Sequence, residues 1–482
     1  MVDPDGGHLV SPATTCLILL PIGTAAVLAC LAGRRLAAEI VAGVSLCAHV
    51  ILVVALYLTY AAPRSALEAS WLPALGSQIL LAVDGISIHA ILVLTAVFVV
   101  AVIAEIRLQA EGASVPRLAL IFVVVAAMDL FLLSHDVLSA AAAHGTAGLA
   151  LAALLGIGTD LAGRSAARRF ASWAVAGTIL LSTSAAILSA VAGSTVIDDL
   201  THIDPGAARF AASLLALAMA MQLPLIPLHT WLAPVAAAGS LAGRTLVFGA
   251  WCAAGVIGLL RYGLGLFPDL LAYAAPVPLY WGTATLAYAA LLAVAQREQD
   301  LPRRLSWVTL GAGGLLLVGV AGLETSVVLG AWLYASAQAL PRVALLLLAQ
   351  WITHTGARRG TLAAIWATLA LVLVAAPGAS LFPGWLLVVT GTASPVVAGI
   401  LMLATVTMAF ALLVPTVRLA RVRTGPGLPV PLSRLLVAVL AVVLLIGWFP
   451  GSFVDRTRPD VEGLLERVPP TATAAQVTEE AP

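Results

Sequence analysis

An all-α polytopic membrane protein with about 14 transmembrane helices is what this sequence predicts. Three observations carry that prediction. The 482 residues are 61% hydrophobic and only 10% charged, with a mean hydropathy of +1.07. A soluble fold of this size needs a charged surface, and so few charges cannot make one. Apolar runs repeatedly reach the ~20 residues that cross ~30 Å of hydrocarbon. They are long and continuous, whereas a membrane β-barrel needs short alternating segments. Arginine also alternates between loops in the way a multi-span chain requires.

The runs read in order as 10–32, 37–61, 83–104, 118–134, 137–158, 170–193, 209–232, 241–262, 273–296, 305–323, 326–349, 361–381, 386–413 and 431–449. The first opens after MVDPDGGHLV, which is acidic and lacks the basic start of a cleaved signal peptide, so that run is read as a retained span. Connections are short, which predicts one bundle. The spans group into an N-terminal unit of three helices (1–117), two units of five (118–262 and 263–415) and a last helix (416–452). The tail 453–482, ending PPTATAAQVTEEAP, reads as disordered and external.

All 24 basic residues are arginine, and no lysine occurs. A high-GC genome explains scarce lysine better than its complete absence. Loops after odd-numbered spans hold 16 arginines, from Arg34 and Arg35 to Arg423 and Arg434. The other side holds 6 (Arg64, Arg209, Arg261, Arg456, Arg458 and Arg467), and Arg244 and Arg342 lie within spans. The positive-inside rule then places the odd loops in the cytoplasm and both termini outside. The setting expected is the cell inner (plasma) membrane. A net charge of +1 does not suggest nucleic acid. Cys16, Cys30, Cys47 and Cys252 stand in apolar runs without metal-ligand spacing and read as small core residues. No nucleotide loop, haem pair or iron–sulfur cysteine set is visible, so neither a metal nor a cofactor bound by this chain is expected.

Polar residues inside the membrane are costly and so mark candidate sites. They are Glu39, His49, His89, Asp129, His144, Gln222, His229, Arg244, Gln338 and Arg342. Asp84 and Glu324 lie near span ends and read as interfacial, and Glu39 lies close to Arg34 and Arg35. Each of these also has a structural reading, as a helix–helix hydrogen bond or a snorkelling side chain. A cluster on one segment says more. MQLPLIPLHTWLAPVAAAGS, Met221–Ser240, is such a cluster. Pro224 and Pro227 each remove a backbone donor and obstruct the carbonyl one turn earlier, so the helix is predicted to break between Gln222 and His229. Freed backbone groups in a membrane must face protein or a wet cavity. Broken helices at mid-membrane recur in ion transporters; the alternative is a kink that serves packing alone. AAPGASLFPGW, with Pro377 and Pro383, predicts a second break about five spans later, as duplication of a five-helix unit would give.

PLIPLHTWL, Pro224–Leu232, resembles the P-x-x-P-L/F-H-T-W-L-P motif of the antiporter-like membrane subunits of respiratory complex I, the M subunit above all. Mrp antiporters and membrane hydrogenases are similar. LAVDGIS (Leu81–Ser87), DLFLL (Asp129–Leu133), GVIGLLR (Gly255–Arg261), QREQDLPRRLSW (Gln296–Trp307) and GWFPGSF (Gly447–Phe453) resemble further family segments in the same order. The resemblance implies fourteen spans, two inverted five-helix repeats broken at helices 7 and 12, and external termini. It implies a proton path along a hydrophilic axis, and partner membrane subunits in a complex I-like assembly. The family's axis uses a fifth-span glutamate, lysines in the seventh and eighth spans, and an acid or lysine in the twelfth. A buried lysine binds its proton weakly and responds to a nearby glutamate, so one charge change displaces the next proton.

This chain departs from that pattern. The seventh-span lysine position is Gln222, the eighth-span position Ala253, and the twelfth-span acid position Trp385. The eleventh-span histidine and lysine positions are Gln338 and Arg342. The fifth-span glutamate falls on Leu138 or near His144 and Gly145, depending on the counting direction. Glutamine and alanine cannot carry a proton, and arginine serves better as a fixed charge. If protons move, His144 and His229 are the expected carriers. Gln222 and water would bridge the break, with Arg244 and Arg342 as fixed charges and Asp129 as a further polar remnant. Three readings follow: a divergent M-type subunit, a pump-inactive structural or coupling subunit, and a cation or inorganic-carbon transporter subunit on the same fold.

Overall fold

The computed structural model describes residues 12–60, 64–109, 114–200, 205–267, 274–297, 300–421 and 424–468. In chain order its helices are α1 (Pro12–Cys30), α2 (Arg35–Thr59), α3 (Gly85–Arg107), α4 (Val115–Leu133), α5 (Val137–Gly156) and α6 (Leu161–Ala192). Next come α7 (Pro205–Gln222), the stub α8 (Leu232–Ala237), α9 (Leu241–Leu264), α10 (Pro276–Ala295), α11 (Leu301–Ala321) and α12 (Thr325–Thr355). The chain ends with α13 (Gly360–Leu373), α14 (Phe382–Thr390), α15 (Pro395–Arg421), α16 (Val430–Trp448) and α17 (Gly451–Leu465). Among the described residues twelve helices are long and apolar enough to cross a membrane. Two shorter apolar helices, Ala208–Gln222 and Gly360–Leu373, are those that end at the proline-rich breaks.

Burial sorts the helices into centre and rim. Within the span windows of α9, α11 and α12, 94% of residues are buried, against 22% for α2. The rim presents large apolar side chains outward, among them Ile40, Ile51, Leu403, Phe410 and Leu445. Surrounded by lipid, such a surface carries no penalty. Small residues bring the central helices close. A Cβ on Gly282 would sit 2.5 Å from Gly314 O, so α10 and α11 meet backbone to backbone.

Loop contacts divide the bundle into two faces. On one, an antiparallel hairpin of β1 (Arg64–Leu72) and β2 (Ser77–Val83) is joined to the loops after α4 and α6. His135 N donates to Leu80 O at 2.8 Å and Val137 N to Thr195 O at 2.9 Å. The buried Asp136 carboxylate ties these strands together, accepting from Ser139 N (2.7 Å), Ser77 Oγ (3.1 Å) and Thr195 Oγ1 (2.5 Å). On the other face Arg117 reaches Ile157 O (3.4 Å), Ser240 N reaches Leu155 O (3.0 Å), and Arg358 pairs with Thr424. The loops after the third, fifth and seventh spans therefore lie together, and those after the eleventh and thirteenth meet each other.

A short hairpin fills the connection between α2 and α3 of the helical bundle. Three expectations need correction. The region after 453 is not all disordered: Gly451–Leu465 is a helix, with Val461 and Thr457 fully buried against the bundle. Its apolar residues Val454, Val461 and Leu464 pack inward, and Phe453 lies against His89, which the charged residues between them disguise; residues 469–482 lie outside the described residues. The segment after Pro383 does not begin the thirteenth span. It forms α14, the second half of the broken helix, and α15 starts only at Pro395. Arg117, Arg261 and Arg304 were read as loop residues but are buried within helix ends. Arg117 pairs with Glu105 at 2.8 Å, Arg261 with Asp84 at 2.5 Å, and Arg304 donates to Ala411 O at 2.6 Å.

Candidate functional site

The first break runs from Leu223 to Trp231, between α7 and α8. Leu223 N closes the last bond of α7, to Met219 O at 2.8 Å. Pro224 and Pro227 then deny the next donors, and the Ile226–Pro227 bond is cis. The freed Ile226 carbonyl accepts from Trp281 Nε1 of α10 at 2.5 Å. Two glycines admit the irregular chain: a Cβ on Gly255 would meet Leu223 N at 2.7 Å, and one on Gly313 would meet Pro224 O at 2.6 Å. The start of the break, Leu223–Leu225, is thus buried in protein, whereas Pro227 and Thr230 are exposed. The second break, Val374–Leu381, is built in the same way around Pro377, with Ala375 at φ 53° and Gly378 at φ 83°. Pro383 lies in the first turn of α14, where a missing donor costs nothing.

Gln222 ends α7 fully buried, and neither its amide oxygen nor its nitrogen has a protein partner. His229 is half-buried within the break, its ring against Tyr288 and Trp307 at centroid distances of 5.8 and 5.9 Å. His144 lies in the interior on α5, with its ring 4.6 Å from that of Trp251. Thr178 Oγ1 donates to Ala174 O (2.9 Å), so it accepts from His144 Nδ1–H, also at 2.9 Å. That leaves His144 Nε2 as a buried lone pair without a partner.

Around Ala253 the helix α9 is irregular as well, with π-helical turns at Val247–Trp251 and Leu259–Leu264. Such turns widen a helix and free backbone groups. Arg342 of α12 uses one: its Nη1 donates to Phe248 O at 3.0 Å, while Nη2 bonds Gln338 Oε1 one turn away. Arg244, at the start of α9, bonds Gln350 Oε1 of α12 and Ala236 O (3.2 Å). Trp385, where the resemblance places the twelfth-span acid, donates from Nε1 to Thr405 Oγ1 at 3.1 Å. Asp129 on α4 is completely buried, with neither oxygen hydrogen-bonded; His49 Nε2 of α2 lies 3.8 Å away and Thr95 Oγ1 is 3.3 Å from that nitrogen.

The structure therefore joins Gln338 to Arg342 and brings His49 beside Asp129, and it leaves His144, Gln222, His229 and Arg244 apart from these pairs and from one another. Among the described residues no hydrogen bond links His144 to His229, or either histidine to Arg244 or Arg342. Two features escaped the sequence reading. His49 was visible as a polar residue in a span, but its pairing with Asp129 was not. The cluster of Asp84, His135, Arg261 and Asp460 brings together four separate loops and helix ends. Asp84 caps α3 by accepting from Ser87 N at 2.6 Å, and Asp460 of α17 accepts from Gly85 N and Ile86 N beside it. Burial opposes the charge on Asp84, yet Arg261 holds its carboxyl well below the usual carboxylate range. Burial first, and the charge of Asp84 second, push Asp460 up to about 6.

Comparison with known proteins agrees with this architecture. The chain is 30% identical over 246 residues to NAD(P)H-quinone oxidoreductase chain 4 1 of Trichodesmium erythraeum, covering 48% of this chain and 46% of that protein. It is 28% identical over 343 residues to NAD(P)H-quinone oxidoreductase chain 4 3 of Trichormus variabilis, covering 67% and 63%. The matches thus span about half to under two thirds of those relatives' own length. A chain of respiratory complex I from Thermus thermophilus superposes with a TM-score of 0.85 at 22% identity, covering 95% of this chain and all of that one. A chain of the Mrp complex from Dietzia sp. superposes with a TM-score of 0.73 at 18% identity, covering 97% and 60%. Residues 134–411, more than half of the sequence and both breaks, match the family described as NADH:quinone oxidoreductase/Mrp antiporter, TM. This chain belongs to that family of membrane proteins.

Proposed function

We propose that this chain is an antiporter-like membrane subunit of a proton-translocating, complex I-like quinone oxidoreductase assembly. In this reading it sits in the inner (plasma) membrane with both termini external and sibling membrane subunits as partners. Residues 118–262 and 263–415 are two inverted repeats, one break in each. The observation that carries the proposal is the helix break beside the buried Gln222, an amide without a protein partner where the resemblance would place a proton-bearing lysine. An unsatisfied buried amide at a helix break is a place for bound water. His144 and His229 are the proposed proton carriers.

A second reading, a structural or coupling subunit, has its own support. Arg244 and Arg342 act as struts between α9 and α12 rather than as neighbours of the histidines. Affinity purification of the tagged protein from native membranes in mild detergent, followed by mass spectrometry, tests the assembly. Sibling antiporter-like subunits with a peripheral redox arm are expected. A single large soluble partner without redox subunits would overturn the proposal in favour of a transporter.

A further inference from the structure

The second break has an unpartnered polar side chain, and a cavity lies beside it. His89, one turn into α3, is 2% exposed, and its Nδ1 has no hydrogen-bond partner. Ser380, within the break, is 5% exposed, and its Oγ has none either. Both line a cavity of about 20 Å³ together with Ser336 of α12. Ser336 Oγ donates to Trp332 O at 3.0 Å, which leaves its lone pairs free to accept. The space exceeds the ~10–15 Å³ that one water needs, and three polar partners match the number a buried water usually has.

A second cavity, also about 20 Å³, lies against Ala253 and Ala250 of α9. It shares Ser336 and Val93 with the first. Ser336 and Val93 therefore form a wall common to the two spaces. One begins where the side chain of residue 253 has been reduced to a methyl group. The other reaches Pro450 and Phe453, at the junction of α16 and α17, where the ring of Phe453 lies 4.4 Å from that of His89. Trp385 is hydrogen-bonded to Thr405 of α15 and does not line this cavity.

We infer that His89 is the proton-exchanging residue of a hydrated branch. The branch runs from the space beside Ala253, past Ser336, to His89 and Ser380. Water bound between Nδ1 and Ser380 Oγ exchanges a proton with the imidazole. A neutral ring that gains a proton at one nitrogen and releases one from the other returns to neutrality, so no charge is left in the membrane interior. The branch deepens the proposed function, because it offers a way around the lost axis, but its hydration does not depend on partner subunits.

The test uses the purified full chain in lipid nanodiscs with ¹⁵N-labelled histidine rings. Ring N–H exchange into D₂O is followed by NMR, and His89→Gln identifies the signal. We expect His89 to exchange about tenfold faster than His49, which is packed between Thr95 and Phe98 and lines neither cavity. Ser336→Leu, which crowds the wall common to both cavities, should slow His89 toward the rate of His49. Equal rates in the wild type, or no response to Ser336→Leu, would overturn the inference. A cryo-electron map offers a check that needs no variant. Water density within hydrogen-bond reach of both His89 Nδ1 and Ser380 Oγ supports the branch, and a dry cavity refutes it. Failure here would leave subunit membership untouched, because that is read from co-purification.

Discussion

Arg244 and Arg342 stitch the same two helices in opposite directions. Arg244 leaves α9 to bond Gln350 of α12, and Arg342 leaves α12 to bond Phe248 O of α9, one turn beyond Arg244. No carboxylate pairs with either guanidinium among the described residues. Their hold on the structure is hydrogen bonding by a rigid fork, set against the cost of burying a charge. Arg342→Lys keeps the charge but loses the fork, so it is expected to destabilise by about 2 kcal/mol. Arg342→Met removes bonds and charge together and should stay within about 1 kcal/mol of the wild type. Thermal unfolding in one detergent ranks the two; Met falling below Lys would contradict this account.

The breaks depend on close backbone approach. A Cβ on Gly255 meets Leu223 N at 2.7 Å, and neither group belongs to a flexible side chain. Gly255→Ala should cost about 1–3 kcal/mol through overpacking, despite the better helix propensity of alanine. Gly399 on the rim has nothing within 4 Å, so Gly399→Ala should be neutral or slightly stabilising. Equal unfolding temperatures for the two variants would show that the break tolerates displacement.

In the proposed reading the departures from the family's charged axis are spread over three helices, which bears on rescue. Gln222→Lys should not by itself restore proton translocation in the assembled complex, because Ala253 and Trp385 remain. Proton uptake by inverted vesicles is the measurement. Robust pumping by that single variant would mean that the other positions do not matter.

Docking of α17 should depend on pH. Asp460 binds its proton more tightly when docked, with a value of about 6 against 3.8 when free. Its contribution is therefore fully favourable below about pH 4, declines through about pH 6 and is constant above. Asp84 has the opposite sign, being stabilising above the ordinary carboxylate range and failing only in stronger acid. Between pH 7 and pH 5 the Asp460 contribution grows while that of Asp84 is constant, so this pair of carboxyls favours docking as pH falls. Hydrogen exchange of the amides in 451–465 follows the docking, and Asp460→Asn should remove the slowing that Asp460 supplies between pH 7 and pH 5.

What the sequence alone determined is whatever depends on neighbours along the chain. Run length marked the spans, and proline chemistry located both breaks to within a few residues. Arginine placement sorted the loops into two sides, and loop contacts such as Arg117 to Ile157 O respect that sorting. Tertiary structure decided which polar groups meet. His49 and Asp129 lie 80 positions apart in the numbering, and Asp84 and Asp460 lie 376 apart. Helices such as α11 and α12 are apolar around their whole circumference, so no periodicity in their sequences tells which face meets which neighbour. α17 was missed for a related reason. Its charges suggest solvent, and only the groove beside α3 and α12 gives its few apolar residues somewhere to bury.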